Sequence, residues 1–228
     1  MTSEVQAAAA SAPTGVLPRS LFVFSLFYGG MVCIAGVLGN KQVGLGPLAV
    51  EAGIFAFLLL VVTSSAVAEL FGRPTANRLV IFGFIPLLVS IALAELVLHL
   101  PAAKDMQPER LAAFETIMGS TPRIWIGGII AYGTSQLLNV TIFTALKRRE
   151  GRLLWLRAGV ASVLSQIVDT LIFITVAFYG VFPIGQLLVG QMLAKVVLSV
   201  ILVPPLIYLA VALGRSLDGR TSRTTTEA

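Results

Sequence analysis

This chain is short of most of what catalysis needs. It has one histidine and one cysteine, and only 12% of its 228 residues are charged. A lone His99 cannot build a histidine-rich metal site, and no His-Glu-x-x-His run occurs. A lone Cys33 excludes an intrachain disulfide and a cysteine-held metal cluster. Ser162, Ser165 and Asp169 lie in one apolar run, yet no central histidine stands near them to act as base. That argues against a serine hydrolase. No phosphate-binding loop occurs, so ATP would have to be used by a separate subunit. Nothing in the sequence calls for a cofactor, and no metal site is expected.

What the chain does have is apolar length. Soluble domains carry about 25% charged residues, roughly twice the fraction found here. Six runs of about 20 apolar residues occupy positions 20–38, 48–70, 78–100, 124–146, 157–180 and 184–213. Each is long enough to cross a bilayer as a helix. The expected fold is an all-α membrane bundle of six helices. Residues 19–214 form the domain, with disordered tails at 1–18 and 215–228. Pro204-Pro205 removes two backbone donors from the last run and predicts a kink or break. Gly29, Gly30, Gly36 and Gly39 suit close packing of the first run. The stretch 101–123 is expected to hold a short amphipathic helix.

The formal charge of +5 invites a nucleic-acid reading, and its distribution refutes one. The basic residues flank the apolar runs. Arg19, Arg73, Arg78, Lys147, Arg148, Arg149, Arg152, Arg157, Arg215, Arg220 and Arg223 lie on one side. Lys41, Lys104, Arg110 and Arg123 lie on the other. By the excess of basic residues in cytoplasmic loops, both termini are expected in the cytoplasm and the chain in the inner membrane. The partners this implies are a lipid bilayer and a small molecule.

Asp169 and Lys195 interrupt the last two runs. In an antiparallel hairpin turning near Pro183, both lie about 16 Å below the same face. A charge near the bilayer centre costs about 2.5–3.5 kcal/mol on insertion scales, so opposite charges at one depth predict a pair facing inward. Around them is an internal repeat. Ser135-Gln136-Leu137-Leu138-Asn139 in the fourth run returns as Ser165-Gln166-Ile167-Val168-Asp169 in the fifth. Residues three apart share a helix face. Gln136, Asn139, Gln166, Asp169, Thr170, Gln191 and Lys195 are therefore the expected substrate-binding set. Tyr132, Phe143, Phe173 and Phe178 are candidate aromatic walls. The set has too few carboxylates for a divalent cation and lacks the arginines expected around phosphate. Amides, a carboxylate and aromatics suit a flat heterocyclic base. The bland alternative is interhelical hydrogen bonding and a salt bridge that fixes helix register.

These residues also carry a resemblance. Glu69-Leu70-Phe71-Gly72, the two Ser-Gln repeats with Ile142-Phe143 and Ile172-Phe173, and Lys195-Val196 with Pro204 and Tyr208 resemble the queuosine precursor transporter family. The likeness covers roughly residues 45–212. It implies a six-helix bundle similar to vitamin-uptake substrate-binding subunits. It also implies import of 7-cyano-7-deazaguanine or 7-aminomethyl-7-deazaguanine for salvage into a modified tRNA base. Relatives carry acidic residues where this chain has Ser65 and Asn139, a change expected to weaken binding of the cationic precursor, to shift preference toward the neutral nitrile, or to alter proton coupling. Ser65 and Glu69 are expected at a gate.

Two further readings stand beside import. One is a substrate-capture subunit serving an energy-coupling partner, and the other is a structural or assembly membrane protein. A homo-oligomer is compatible with either. Glu95 and His99, four apart, share a face near the outer end of the third run. Glu51 is expected at the membrane interface.

Overall fold

The most apolar helix sits at the centre, because a helix that is hydrophobic all round must be covered all round. In the computed structural model, which describes residues 17–45, 48–119, 122–150, 153–180 and 184–219, that helix is α2, Gly53–Phe71. Every residue from Leu60 to Ala68 is buried. Around it stand α1 (Arg19–Leu38), α3 (Arg73–Leu98), α5 (Pro122–Glu150) and α7 (Gly185–Gly219). Helix α6 (Leu154–Phe178) closes the bundle against α5 and α7. The short α4 (Pro108–Met118) lies between α3 and α5 in sequence, as expected for the 101–123 stretch. Six of these seven helices are long and apolar enough to cross a membrane. The outward face of α3 exposes Phe82, Ile85, Leu88 and Val89 to the position of lipid.

Several expectations need correction. Residues 48–52 are not helical. Leu48–Glu51 forms strand β2, paired antiparallel with β1 (Gln42–Leu45) in the register Gln42 to Glu51 and Val43 to Val50. A short apolar run before a helix reads the same either way, and here tertiary packing decides. Val50 is buried, and β2 lies against α7. The third span begins at Arg73, five residues early, because Pro74 falls in the first turn, where a missing N–H costs nothing. Gly72, at φ +83°, turns the chain between α2 and α3 in a conformation that disfavours any side chain.

Pro204-Pro205 does not break α7, which continues to Gly219. The carbonyls freed by two prolines are tolerated because neighbouring helices hold the segment, and Val203 and Ile207 are fully buried. The helix thus runs five residues past position 214. There the Asp218 carboxylate accepts hydrogen bonds from the Ser20 N–H at 3.0 Å and hydroxyl at 2.6 Å. This satisfies a free donor at the start of α1 from across the bundle. The tails at 1–16 and 220–228 lie outside the described residues, as does Pro183.

Of the first-span glycines, Gly39 lies at a close approach: a Cβ on Gly53 of α2 would stand 3.3 Å from the Gly39 Cα. A Cβ on Gly30 or Gly36 would meet no described atom within 4 Å. Another close approach is at Gly83 of α3. A Cβ there would stand 2.5 Å from the Tyr132 hydroxyl and 2.8 Å from the Tyr28 ring. Those two hydroxyls lie 3.0 Å apart and lock α1 to α5. Gly83→Ala should therefore destabilise the protein by about 1–3 kcal/mol, the usual cost of overpacking. Thermal unfolding of the detergent-solubilised variant checks this, and an unchanged midpoint would mean the tyrosine pair yields freely.

Candidate functional site

The internal repeat is structural as well as sequential. Residues 131–140 of α5 and 161–170 of α6 have the same pattern of buried, half-buried and exposed positions. Each helix turns its Ser, Gln and Asn or Asp inward, and the two run antiparallel against each other over their length. Opposed repeats thus bring polar residues from both helices to one depth. Ser135 of the first copy donates to Asp169 Oδ1 of the second at 3.1 Å. Lys195 of α7 donates to Asp169 Oδ2 at 3.1 Å. Both charged residues are buried. The carboxylate therefore has a partner on each oxygen, which is what a charge at low dielectric requires.

The amides lie deeper in the bundle. Asn139 Nδ2 donates to Ser65 Oγ at 3.0 Å, and Ser64 Oγ lies 3.2 Å from Gln136 Oε1. Gln136, Asn139, Gln166 and Thr170 have no exposed surface. The Thr170 hydroxyl is turned back to its own helix and donates to the Gln166 carbonyl at 2.9 Å. Among the described residues, Gln136 Nε2, Asn139 Oδ1, both Gln166 amide atoms, Gln191 Oε1 and the Ser162 and Ser199 hydroxyls have no hydrogen-bonding partner. A buried polar atom left unpaired costs about 1–3 kcal/mol. So many on three adjacent helices is far more than interhelical bonding needs.

A cavity of about 390 Å³ reaches this layer from the end of the bundle that carries the β-hairpin. The volume falls within the range of about 300–1,000 Å³ typical of small-molecule sites. Its walls are mostly apolar, from α1, α2, α3 and α5, with Trp125, Tyr132 and Phe173 among them. Its charged lining is Glu51, Asp169 and Lys195. Asp169 and Lys195 are the members of the expected set that line it. Gln136, Asn139, Gln166, Thr170 and Gln191 are packed behind.

Glu51 was missed in the sequence, where it reads as an interfacial residue. Hairpin β1–β2 folds against α7 and delivers the side chain beside Lys195, Asp169 and Gln191, whose amide hydrogen-bonds it. Burial pushes its carboxyl above the usual range. Lys195 and the Gln191 hydrogen bond offset part of that rise, and Asp169 adds to it. The one local signal was a carboxylate just ahead of a long apolar run, which does not show that the chain folds back.

At the opposite end of the bundle a charged cluster packs between the helices, beside a second cavity of about 460 Å³ lined by Glu69, Arg73 and Lys147. Arg157, 1% exposed, donates from Nη2 to Glu69 at 2.6 Å and from Nε to the Phe143 carbonyl at 3.3 Å. Its guanidinium lies 4.3 Å from the centre of the Phe143 ring, a cation–π geometry. Lys147 adds a second cation to Glu69 at 3.2 Å. Phe143 thus belongs to this cluster and not to the cavity. The side chain of Phe178 lies outside what is described. Arg73, the basic residue nearest Glu69 in sequence, is drawn off to Thr141 at 3.1 Å. Glu95 and His99 stand 3.8 Å apart on an exposed turn of α3, away from these contacts.

Residues 51–210 match the family described as "Putative vitamin uptake transporter". A "Probable queuosine precursor transporter" of Bacillus subtilis (strain 168) is 32% identical over 170 residues, 72% of this chain and 73% of that one. A "Queuosine precursor transporter" of Escherichia coli (strain K12) is 26% identical over 162 residues, 71% and 70% of the two chains. No solved structure matches. The matched segment runs from Glu51 at the end of β2 to the middle of α7. It contains the whole charged and amide layer. This chain is a multi-pass membrane protein and belongs to that uptake-transporter family.

Proposed function

We propose that this protein imports queuosine precursors, deazaguanine bases, across the inner membrane for salvage into tRNA. The reading rests chiefly on one observation. A cavity open at one end leads to a buried charged pair backed by unpaired amide atoms. The names of the two relatives support the substrate class. Eleven basic residues on one side of the apolar runs against four on the other support a cytoplasmic Arg157 end and cytoplasmic termini. The cavity then faces outward.

In this reading the base enters past the aromatic walls and reaches Asp169 and Lys195. Its ring N–H groups pair with a carboxylate, and its carbonyl takes an amide donor. Gln136, Asn139, Gln166, Thr170 and Gln191 meet it only after the α2–α5 and α6–α7 contacts loosen, since none lines the cavity now. Ser65 holds Asn139 on the far side of that layer. Glu69 and Arg157 form the inner gate, and their separation releases the base to the cytoplasm. A charge pair suits a gate because its contact is strong when dry and weak once water enters.

Single and double variants separate a binding role from a structural lock. Asp169→Asn or Lys195→Met should abolish uptake in cells that cannot make the precursor. Each should also cost about 3–5 kcal/mol, since each leaves one buried charge unpaired. The double variant should regain much of the stability and none of the uptake. Normal uptake by the double variant, at equal membrane abundance, would reduce the pair to a helix lock.

The gate is tested by comparing binding with transport. Glu69→Gln should slow uptake while the solubilised protein keeps its affinity for the base within a factor of about two, as for a distant site. Equal losses in both would move Glu69 from the gate into the binding site.

A further inference from the structure

The cavity carries an unequal charge count. Glu51 and Asp169 bring two carboxylates to its lining, and Lys195 brings one ammonium. Asp169 is already satisfied, by Lys195 on one oxygen and by Ser135 on the other. Glu51 shares that same ammonium: Lys195 attracts it and Gln191 donates it a hydrogen bond, while Asp169 repels it. The Gln42 position stands opposite it in the hairpin and brings no charge. The groups facing Glu51 from β1, α6 and α7 thus leave one negative charge in surplus at the mouth of a buried site. A partly buried surplus charge must be met by a proton or by a positively charged ligand group.

We propose that Glu51 is the specificity-determining carboxylate of the site, selecting a base that carries one ammonium group over a neutral base of the same shape. This rests on the import reading given above and deepens it. An ammonium seated beside Glu51 brings the count to two negative and two positive charges, and it makes a charge-assisted hydrogen bond. A neutral group in the same place leaves the surplus charge unmatched, or leaves Glu51 holding a proton. Ser65 and Asn139 hydrogen-bond to each other at 3.0 Å and bring no charge to the layer behind the cavity. The rise in the Glu51 titration through burial fits this role, because the ligand's ammonium then displaces a proton. A primary amine of the lysine kind titrates near pH 10.4, so the ligand stays charged while Glu51 changes state.

The test uses full-length protein in detergent and two probes. These are 7-aminomethyl-7-deazaguanine, which is cationic, and 7-cyano-7-deazaguanine, which is neutral. Affinities are measured by calorimetry for wild type, Glu51→Gln and Glu51→Asp, with monodispersity and thermal midpoint as controls for folding. Wild type should favour the cationic base, and Glu51→Gln should reduce that preference at least about tenfold, the weight of one charge-assisted hydrogen bond. Glu51→Asp, which keeps the charge on a shorter stem, should retain most of the preference. Lowering the pH through the Glu51 titration should weaken the cationic base and spare the neutral one in wild type. The pH effect should vanish in Glu51→Gln. The proposal is overturned if Glu51→Gln changes both affinities alike or neither, while wild type still binds the bases. If wild type binds neither base, the import reading itself falls, and this proposal with it.

Discussion

A lysine and an aspartate 3.1 Å apart in the middle of an apolar bundle constrain everything around them. Neither charge is tolerable alone at that depth. Their contact requires α6 and α7 to run antiparallel with Asp169 and Lys195 at one level. The second carboxylate oxygen requires Ser135, which fixes α5 against α6 in turn. Once those three helices are set, the repeated Gln and Asn positions fall into one layer. The central helix α2 then supplies Ser64 and Ser65 to partner that layer from the other side. The pair is therefore the register mark of the bundle as well as its polar centre.

The two ends of the molecule are held by different chemistry. At the hairpin end, mostly apolar and aromatic walls surround open space, with Asn40, Glu51, Ser90, Asp169 and Lys195 among its polar lining. At the other end, Arg157 is buried against Phe143 and Glu69, with Lys147 beside them. Apolar walls admit a flat base with little desolvation cost. In the ion cluster Arg157 is buried, while Glu69 and Lys147 still reach solvent. Between the ends lies a layer with no exposed surface whose amide atoms lack partners. Such a layer is costly at rest and has most to gain from a ligand rich in donors and acceptors.

The contrast between Asp169 and Glu51 shows what a sequence can reveal about a site. Asp169 is conspicuous because it interrupts an apolar run, and a charge inside a span has few explanations. Glu51 stands at the boundary of a run, where carboxylates are common and mean little. Its place in the cavity depends on a ten-residue hairpin, Gln42–Glu51, that folds over the bundle. Leu48-Ala49-Val50 merges in composition with the helix that follows, so the strand is invisible to periodicity. Phe143 gives the opposite lesson. It sits in the repeat like a site residue, yet lies too near the far end of α5 to reach the cavity and packs under Arg157 instead.

The sequence by itself determined the number of membrane spans, the antiparallel repeat and the depth at which Asp169 and Lys195 meet. Those follow from helix rise, apolar length and the cost of charge in lipid, which are properties of the local chain. Only the tertiary structure decided that α2 is central and that α7 passes unbroken through Pro204-Pro205. It alone also decided that Arg157 packs against Glu69 and Phe143 and that Glu51 reaches the cavity from a hairpin. Each of these depends on contacts between segments far apart in the chain, where packing can override local preference.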